Sequence, residues 1–151
     1  MNQLKQKQTE WITGQSVSMD FLSEEPPVSL HREEPLGDRH KILIVIPSFN
    51  EEASIGQVLE DVKQNAPEIP VLVVNDGSVD HTAKIAEEHG AQVISLPYNS
   101  GYGVALQTGY LYARKHNYSI VVQMDADGQH DPACIQDLLS AVNNKDVDVV
   151  I

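Results

Sequence analysis

The sequence predicts an α/β protein: a mostly parallel open sheet with helices on both faces. Three observations lead there. Continuous β-branched runs such as Lys41-Ile-Leu-Ile-Val-Ile46 recur along the chain, the pattern of strands buried on both faces. Between them stand segments with apolar residues at helical spacing, so strand and helix alternate as in βαβ units. Polar clusters rich in Asp, Asn and Gly follow three of the runs, and a parallel sheet gathers such ends on one rim, where ligands bind.

Taken in order, residues 1–39 hold little that could build a core. They carry Glu24-Glu25-Pro26-Pro27 and Glu33-Glu34-Pro35, and proline removes backbone donors and turns its predecessor away from helix. A flexible, acidic and polar N-terminal tail is expected. Trp11, Phe21 and Leu22 could make a short docking segment there, although stray apolar residues in a flexible arm are the favoured reading. The first strand opens at Lys41, and Ile55, Val58, Leu59 and Val62 then mark one face of a helix. Val71-Leu-Val-Val74 is a strand, a helix is expected around Asp80–His89, and Ala91–Leu96 is a strand. A helix over Gly103–His116 precedes the strand Ile120–Met124. The next helix has Pro132 in its first turn and Ile135, Leu138, Leu139 and Val142 on one face. Val147-Asp-Val-Val-Ile151 reads as a further strand. A buried-type strand in last place has no helix to cover it. Residues 40–151 are therefore expected to be the front part of a larger domain, incomplete at its C-terminal end.

Composition excludes several classes. With 22 acidic against 10 basic residues and a formal charge of −12, the chain lacks the Lys and Arg surplus of a non-specific nucleic-acid binder or an anionic-membrane binder. Its one cysteine, Cys134, can form no intramolecular disulfide and no Cys-based zinc site. The longest apolar stretch, Ile42–Ile46, is far short of the roughly 20 residues that span a bilayer. The beginning of the chain lacks the apolar run of a secretion signal. A cytoplasmic chain is the expectation, peripheral at most to the cytoplasmic face of a membrane.

The polar clusters carry the chemistry. Asp125 and Asp127 stand two apart as the fourth strand ends, Gly128 lets the backbone turn, and Gln129 adds a neutral oxygen. Carboxylate and amide oxygens suit Mg²⁺ or Mn²⁺, ions that also engage substrate phosphates. A calcium EF-hand loop is excluded, because its twelfth position would be Gln136 in place of Glu. In the second cluster, Asp76 at the strand end could accept hydrogen bonds from a nucleobase or a ribose hydroxyl. Ser78 and Asp80 read equally well as a turn and a helix cap. The first cluster offers Phe49, whose ring could support a base, and Glu51; the alternative places Phe49 under the sheet rim and makes Glu51 a helix cap. Gly101-Tyr-Gly-Val looks like a phosphate-cradling turn but fails the Rossmann pattern at Leu106, and no Walker lysine is present. Those glycines are expected to allow a tight turn and close approach of helix to sheet. His130 and Cys134 could share a metal, yet a surface His and a buried Cys explain them better.

Together, IPSFNEE, VVNDGSVDHT, NSGYGVALQTGY and VVQMDADGQHDP resemble the family-2 glycosyltransferases of Rossmann-like GT-A fold, and among them the dolichol-phosphate mannosyltransferase-like branch. The resemblance covers residues 41–151 and implies an enzyme that uses a nucleotide-sugar donor and, often, a polyprenyl-phosphate acceptor. It implies that Pro47, Phe49 and Glu51 contact the nucleotide, with Phe49 where the family has Tyr. Val74 and Asp76 match the base-binding pair, Asn75 standing where a first Asp is usual. Asp125, Ala126 and Asp127 match the nucleotide- and metal-binding motif, with Gln129 a further metal ligand and Asp127 the candidate catalytic residue. An inverting transfer follows, in which a lipid-phosphate acceptor needs no general base. The competing readings are a truncated, non-catalytic nucleotide-sugar-binding remnant and a sugar nucleotidyltransferase; the latter expects a basic Gly-rich loop where PSFNEE stands.

Overall fold

The computed structural model describes residues 41–144 and 147–151. The expected N-terminal tail, with Trp11, Phe21 and Leu22, lies outside the described residues. Strands β1 (Ile42–Ser48), β2 (Val71–Asn75), β3 (Gln92–Ser95) and β4 (Ile120–Gln123) form one four-stranded sheet in the order β3-β2-β1-β4. Every pairing is parallel, with Ile46 beside Val73 and Ile44 beside Val122. Helices α1 (Ile55–Asn65), α2 (Thr82–Glu88) and α3 (Tyr102–Lys115) connect successive strands, and α4 (Ile135–Asn144) follows a 3₁₀ turn at Pro132–Cys134.

Although the strands are apolar throughout, their two-residue period divides them between two cores. Ile44, Ile46, Val73, Ile120 and Val122 face one way, against Ile55, Val58, Leu59 and Val62 of α1 and Ile135 and Leu139 of α4. Leu43, Val45, Leu72 and Val74 face the other way, against Ala105 and Ala113 of α3. Each fully buried Leu or Ile contributes about 1.5–3 kcal/mol relative to exposure, so the central strand β1 anchors both layers.

The close approach of helix to sheet falls at Gly109, in place of Gly101 and Gly103. A β-carbon at Gly109 would stand 2.4 Å from Val45 Cγ1, whereas one at Gly103 would meet open space. Gly101 serves the turn instead, with φ +94 at the start of α3.

The expected strand Val147–Ile151 is not formed. These residues pair with no described strand, and Val149 and Ile151 are exposed. β-branched residues favour a pleated surface, but a strand exists only when a neighbouring ladder takes up its backbone hydrogen bonds.

The connections from β1 to β2 and β2 to β3 move outward on one side, whereas β4 returns to the other side of β1. The strand order therefore reverses between β1 and β4. The crevice beyond the carboxyl ends of these strands is where open α/β sheets place their ligands.

Candidate functional site

A cleft of about 400 Å³ opens at this reversal point. Its walls include Pro47, Phe49 and Glu51 after β1, Asp76 after β2, and Asp125, Ala126 and Asp127 after β4. The three clusters, far apart in sequence, thus meet around one space. Val74 is fully buried in the α3-side core and Gln129 is exposed, and neither lines the cleft.

The first two clusters are stitched together by their own polar groups. The Asn50 N–H donates to Ser78 Oγ at 2.9 Å, the Glu51 N–H to Thr82 Oγ1 at 2.8 Å, and the Glu52 N–H to Asp80 Oδ2 at 3.1 Å. In return the His81 N–H donates to Glu52 Oε2 at 3.0 Å and the Val79 N–H to Asn50 Oδ1 at 3.0 Å. Asn50 takes a left-handed φ of +55, which turns the chain sharply after Phe49. Phe49 stays 42% exposed beside the cleft, not packed beneath the rim. Glu51 accepts the Ser54 hydroxyl at 2.6 Å, a local brace within the turn that leads into α1. Ser78 and Asp80 are used within the fold: Asp80 Oδ1 accepts the N–H of Thr82 at 3.0 Å, at the start of α2.

Hydrogen bonding sets the charge on this seam. The Glu52 carboxyl is held below its usual 4.5, first by the His81 backbone N–H and then by the His81 ring. For Asp80, desolvation favours the neutral form, but hydrogen bonds from the Thr82 hydroxyl and N–H and from the Glu52 N–H outweigh it, and its pKa is lowered.

Asp76 is 3% exposed, and both its oxygens accept backbone N–H groups from the turn before α3. Asn75, standing in place of an acid, bonds inward: its Nδ2 donates to Ser95 Oγ at 3.1 Å and its Oδ1 accepts the Ser78 N–H at 3.1 Å.

In the third cluster, Asp127 Oδ1 accepts the Gln129 N–H at 3.0 Å, and Asp125 Oδ1 accepts the Tyr102 hydroxyl at 2.9 Å. The second oxygen of each carboxylate takes no hydrogen bond among the described residues. His130 Nδ1 lies 3.7 Å from Asp125 Oδ2, but it also accepts the Asp125 N–H at 3.0 Å. That bond needs a lone pair on Nδ1 and puts the ring proton on Nε2, so the longer approach is not an ion pair in this tautomer. Cys134 is exposed, correcting the expected burial, because Ile135 takes the inward position at this turn. Among the described residues no three His, Cys, Asp or Glu side chains cluster for a metal.

Asn99, Tyr102 and Ala105 also line the cleft, as does Ser48, whose buried Oγ has no partner among the described residues. From the sequence alone Gly101-Tyr-Gly-Val reads as a turn, and neither Asn99 nor Tyr102 stands out as a site residue. The available signal was topological: the carboxyl end of β3 opens on the same rim as the others.

The fold and the cleft define an open parallel α/β protein with a carboxylate-lined site where its strand order reverses. The chain belongs to glycosyl transferase family 2, whose family model matches residues 43–151. It is 34% identical over 112 residues to an undecaprenyl-phosphate mannosyltransferase of Micrococcus luteus, covering 71% of this chain and 46% of that one. It is 33% identical over 109 residues to a polyprenol monophosphomannose synthase of Mycolicibacterium smegmatis, covering 68% and 41%. Glucosyl-3-phosphoglycerate synthase from Mycobacterium tuberculosis, solved with Mn²⁺, UDP and glucosyl-3-phosphoglycerate, superposes with a TM-score of 0.57 at 27% identity, covering 68% of this chain and 39% of that one. The chain spans less than half the length of each of these proteins. Among the described residues no helix is long and apolar enough to cross a membrane.

Proposed function

We propose that residues 40–151 are the donor-binding part of an inverting glycosyltransferase that moves a sugar from a nucleoside-diphosphate sugar to a polyprenyl-phosphate acceptor at the cytoplasmic face of a membrane. The observation that carries this reading is the meeting of Phe49, Glu51, Asp76, Asp125 and Asp127 around one cleft. The names of the mannosyltransferase relatives support the acceptor class, and the Mn²⁺ and UDP of the structural neighbour support the donor class.

The residues present fit a divalent cation. Asp125 and Asp127 each keep one carboxylate oxygen without a protein donor among the described residues. Mg²⁺ is commonly held by one or two carboxylates, its remaining positions going to water and substrate phosphate, so a third acidic ligand is not required. Gln129 would add a neutral oxygen if its side chain turned inward. When bound, such a cation neutralises the charge that develops on the leaving diphosphate.

The chain's own groups do the placing. Phe49 offers a ring face to the base, Glu51 and Asp76 offer acceptors to base and ribose, and Pro47 and Ala126 shape the wall between them. Val74, two residues before Asp76, is buried in the α3-side core. A lipid phosphate is already an oxyanion, so its attack on the anomeric carbon needs no general base from this cleft.

Calorimetric titration of the chain with UDP- and GDP-sugars, with and without Mn²⁺, tests the reading. Binding that requires Mn²⁺ and falls at least about ten-fold in Asp127→Ala is the expected result. Equal binding by the variant, or no binding by the parent chain, overturns it.

A further inference from the structure

Side chains from α3, β4 and the loop after β4 form a hydrogen-bond relay that ends on Asp125. Tyr110 Oη donates to Gln123 Oε1 at 2.7 Å, Gln123 Nε2 donates to Tyr102 Oη at 2.8 Å, and Tyr102 Oη donates to Asp125 Oδ1 at 2.9 Å. The direction is forced from the carboxylate end. An ionised Asp125 can only accept, so the one Tyr102 proton is spent on it. The Tyr102 oxygen must then accept, which turns the Gln123 amide nitrogen toward it and the amide oxygen toward Tyr110. Every bond in such a row polarises the next in the same sense, strengthening the last one.

This arrangement is poorly suited to holding the fold. Tyr102 is 52% exposed and Tyr110 44%, and exposed hydrogen bonds add little net stability. It is well suited to holding a carboxylate. Gln123 leaves β4 two residues before Asp125, so both lie toward the same side of the chain. The start of α3 that carries Tyr102 is itself fixed by Asp76 through the Ser100 and Gly101 N–H groups.

We propose that Tyr102, held in turn by Gln123 and Tyr110, is a positioning residue that pins Asp125 Oδ1 and keeps Oδ2 aimed into the cleft for a divalent cation bound with a nucleoside diphosphate. This rests on the donor-site reading above.

The test is a titration of the 151-residue chain and its Tyr102→Phe variant with Mn²⁺·UDP and Mn²⁺·GDP, repeated with each nucleotide in EDTA. Removing a group that orients a metal ligand commonly costs about ten-fold or more in affinity. Tyr102→Phe is expected to weaken Mn²⁺-dependent binding by about that factor, and neither chain is expected to bind in EDTA. Gln123→Leu is expected to weaken it less, and the double variant no more than Tyr102→Phe alone, since Gln123 acts only through the hydroxyl. A parent chain that binds, beside a Tyr102→Phe chain that binds equally, overturns this inference alone; so do additive losses in the double variant. A parent chain that binds neither Mn²⁺-nucleotide overturns the donor-site reading and this inference with it.

Discussion

Asp76 holds the turn before α3 with both carboxylate oxygens, Oδ1 accepting the Ser100 N–H at 2.7 Å and Oδ2 the Gly101 N–H at 2.8 Å. The residue that resemblance assigns to the base is thus also the anchor for the wall opposite it. Each oxygen keeps a further lone pair, so the two uses are compatible.

Asp76→Asn is expected to lower stability by about 2–3 kcal/mol, read as a reduced urea midpoint at unchanged m-value. An amide can accept on one side only, and its NH₂ would face a half-buried N–H donor on the other. A midpoint within experimental error of the parent would show that the turn does not depend on this carboxylate.

Gly109→Ala sets two effects against each other. Alanine gains about 1 kcal/mol of helix propensity, but its β-carbon would stand 2.4 Å from Val45 Cγ1. Val45 is completely buried and stiff about χ1, so it cannot withdraw. Overpacking of about 1–3 kcal/mol is expected to win, giving a less stable protein in denaturant titration. In a Val45→Ala background the added methyl has room, so Gly109→Ala is expected to cost less there than in the parent, and an equal cost in both backgrounds overturns the clash.

Phe49→Ala is expected to weaken nucleotide binding by about 1–3 kcal/mol, the usual worth of one aromatic stacked on a base, with thermal stability almost unchanged. Its exposure at the cleft makes it dispensable for the core. Phe49→Tyr keeps the ring face and should bind at least as well. Calorimetry beside a thermal melt separates the two effects.

Acid should loosen the seam between the first two clusters. Glu52 and Asp80 have carboxyl pKa values lowered in the folded chain from about 4.5 and 3.8. Their contribution is therefore present above those values and lost as pH falls through the lower, folded ones. Glu52→Gln and Asp80→Asn are expected to flatten the fall in stability between about pH 5 and pH 3, measured by urea unfolding across that range. An unchanged pH profile in both variants would place the acid sensitivity elsewhere.

Much of the fold was legible along the chain. Runs such as Ile42–Ile46 and Val71–Val74 announce buried parallel strands, and the spacing of Ile55, Val58, Leu59 and Val62 announces the face of α1 that the core takes up. These signals are local, because period and side-chain type decide them residue by residue. Where local preference needed a distant partner, the sequence was a poorer guide. Val147–Ile151 has the composition of a strand and no neighbouring ladder among the described residues, and the glycine at which helix and sheet come close proved to be Gly109, which only the position of Val45 reveals.

The site divides in the same way. By itself, the chain determined a parallel α/β protein whose acidic clusters at strand ends suit a divalent cation, since parallel strands send all such ends to one rim. Only the tertiary structure decided that β4 returns beside β1, bringing Asp125 and Asp127 next to Phe49 and Glu51. It alone turned Val74 into the core, bound Asp76 to the α3 turn and set Tyr102 against Asp125. The reason is physical: a side chain's type states which bonds it can make, but strand order and helix packing determine which groups come within the roughly 3 Å at which a hydrogen bond forms.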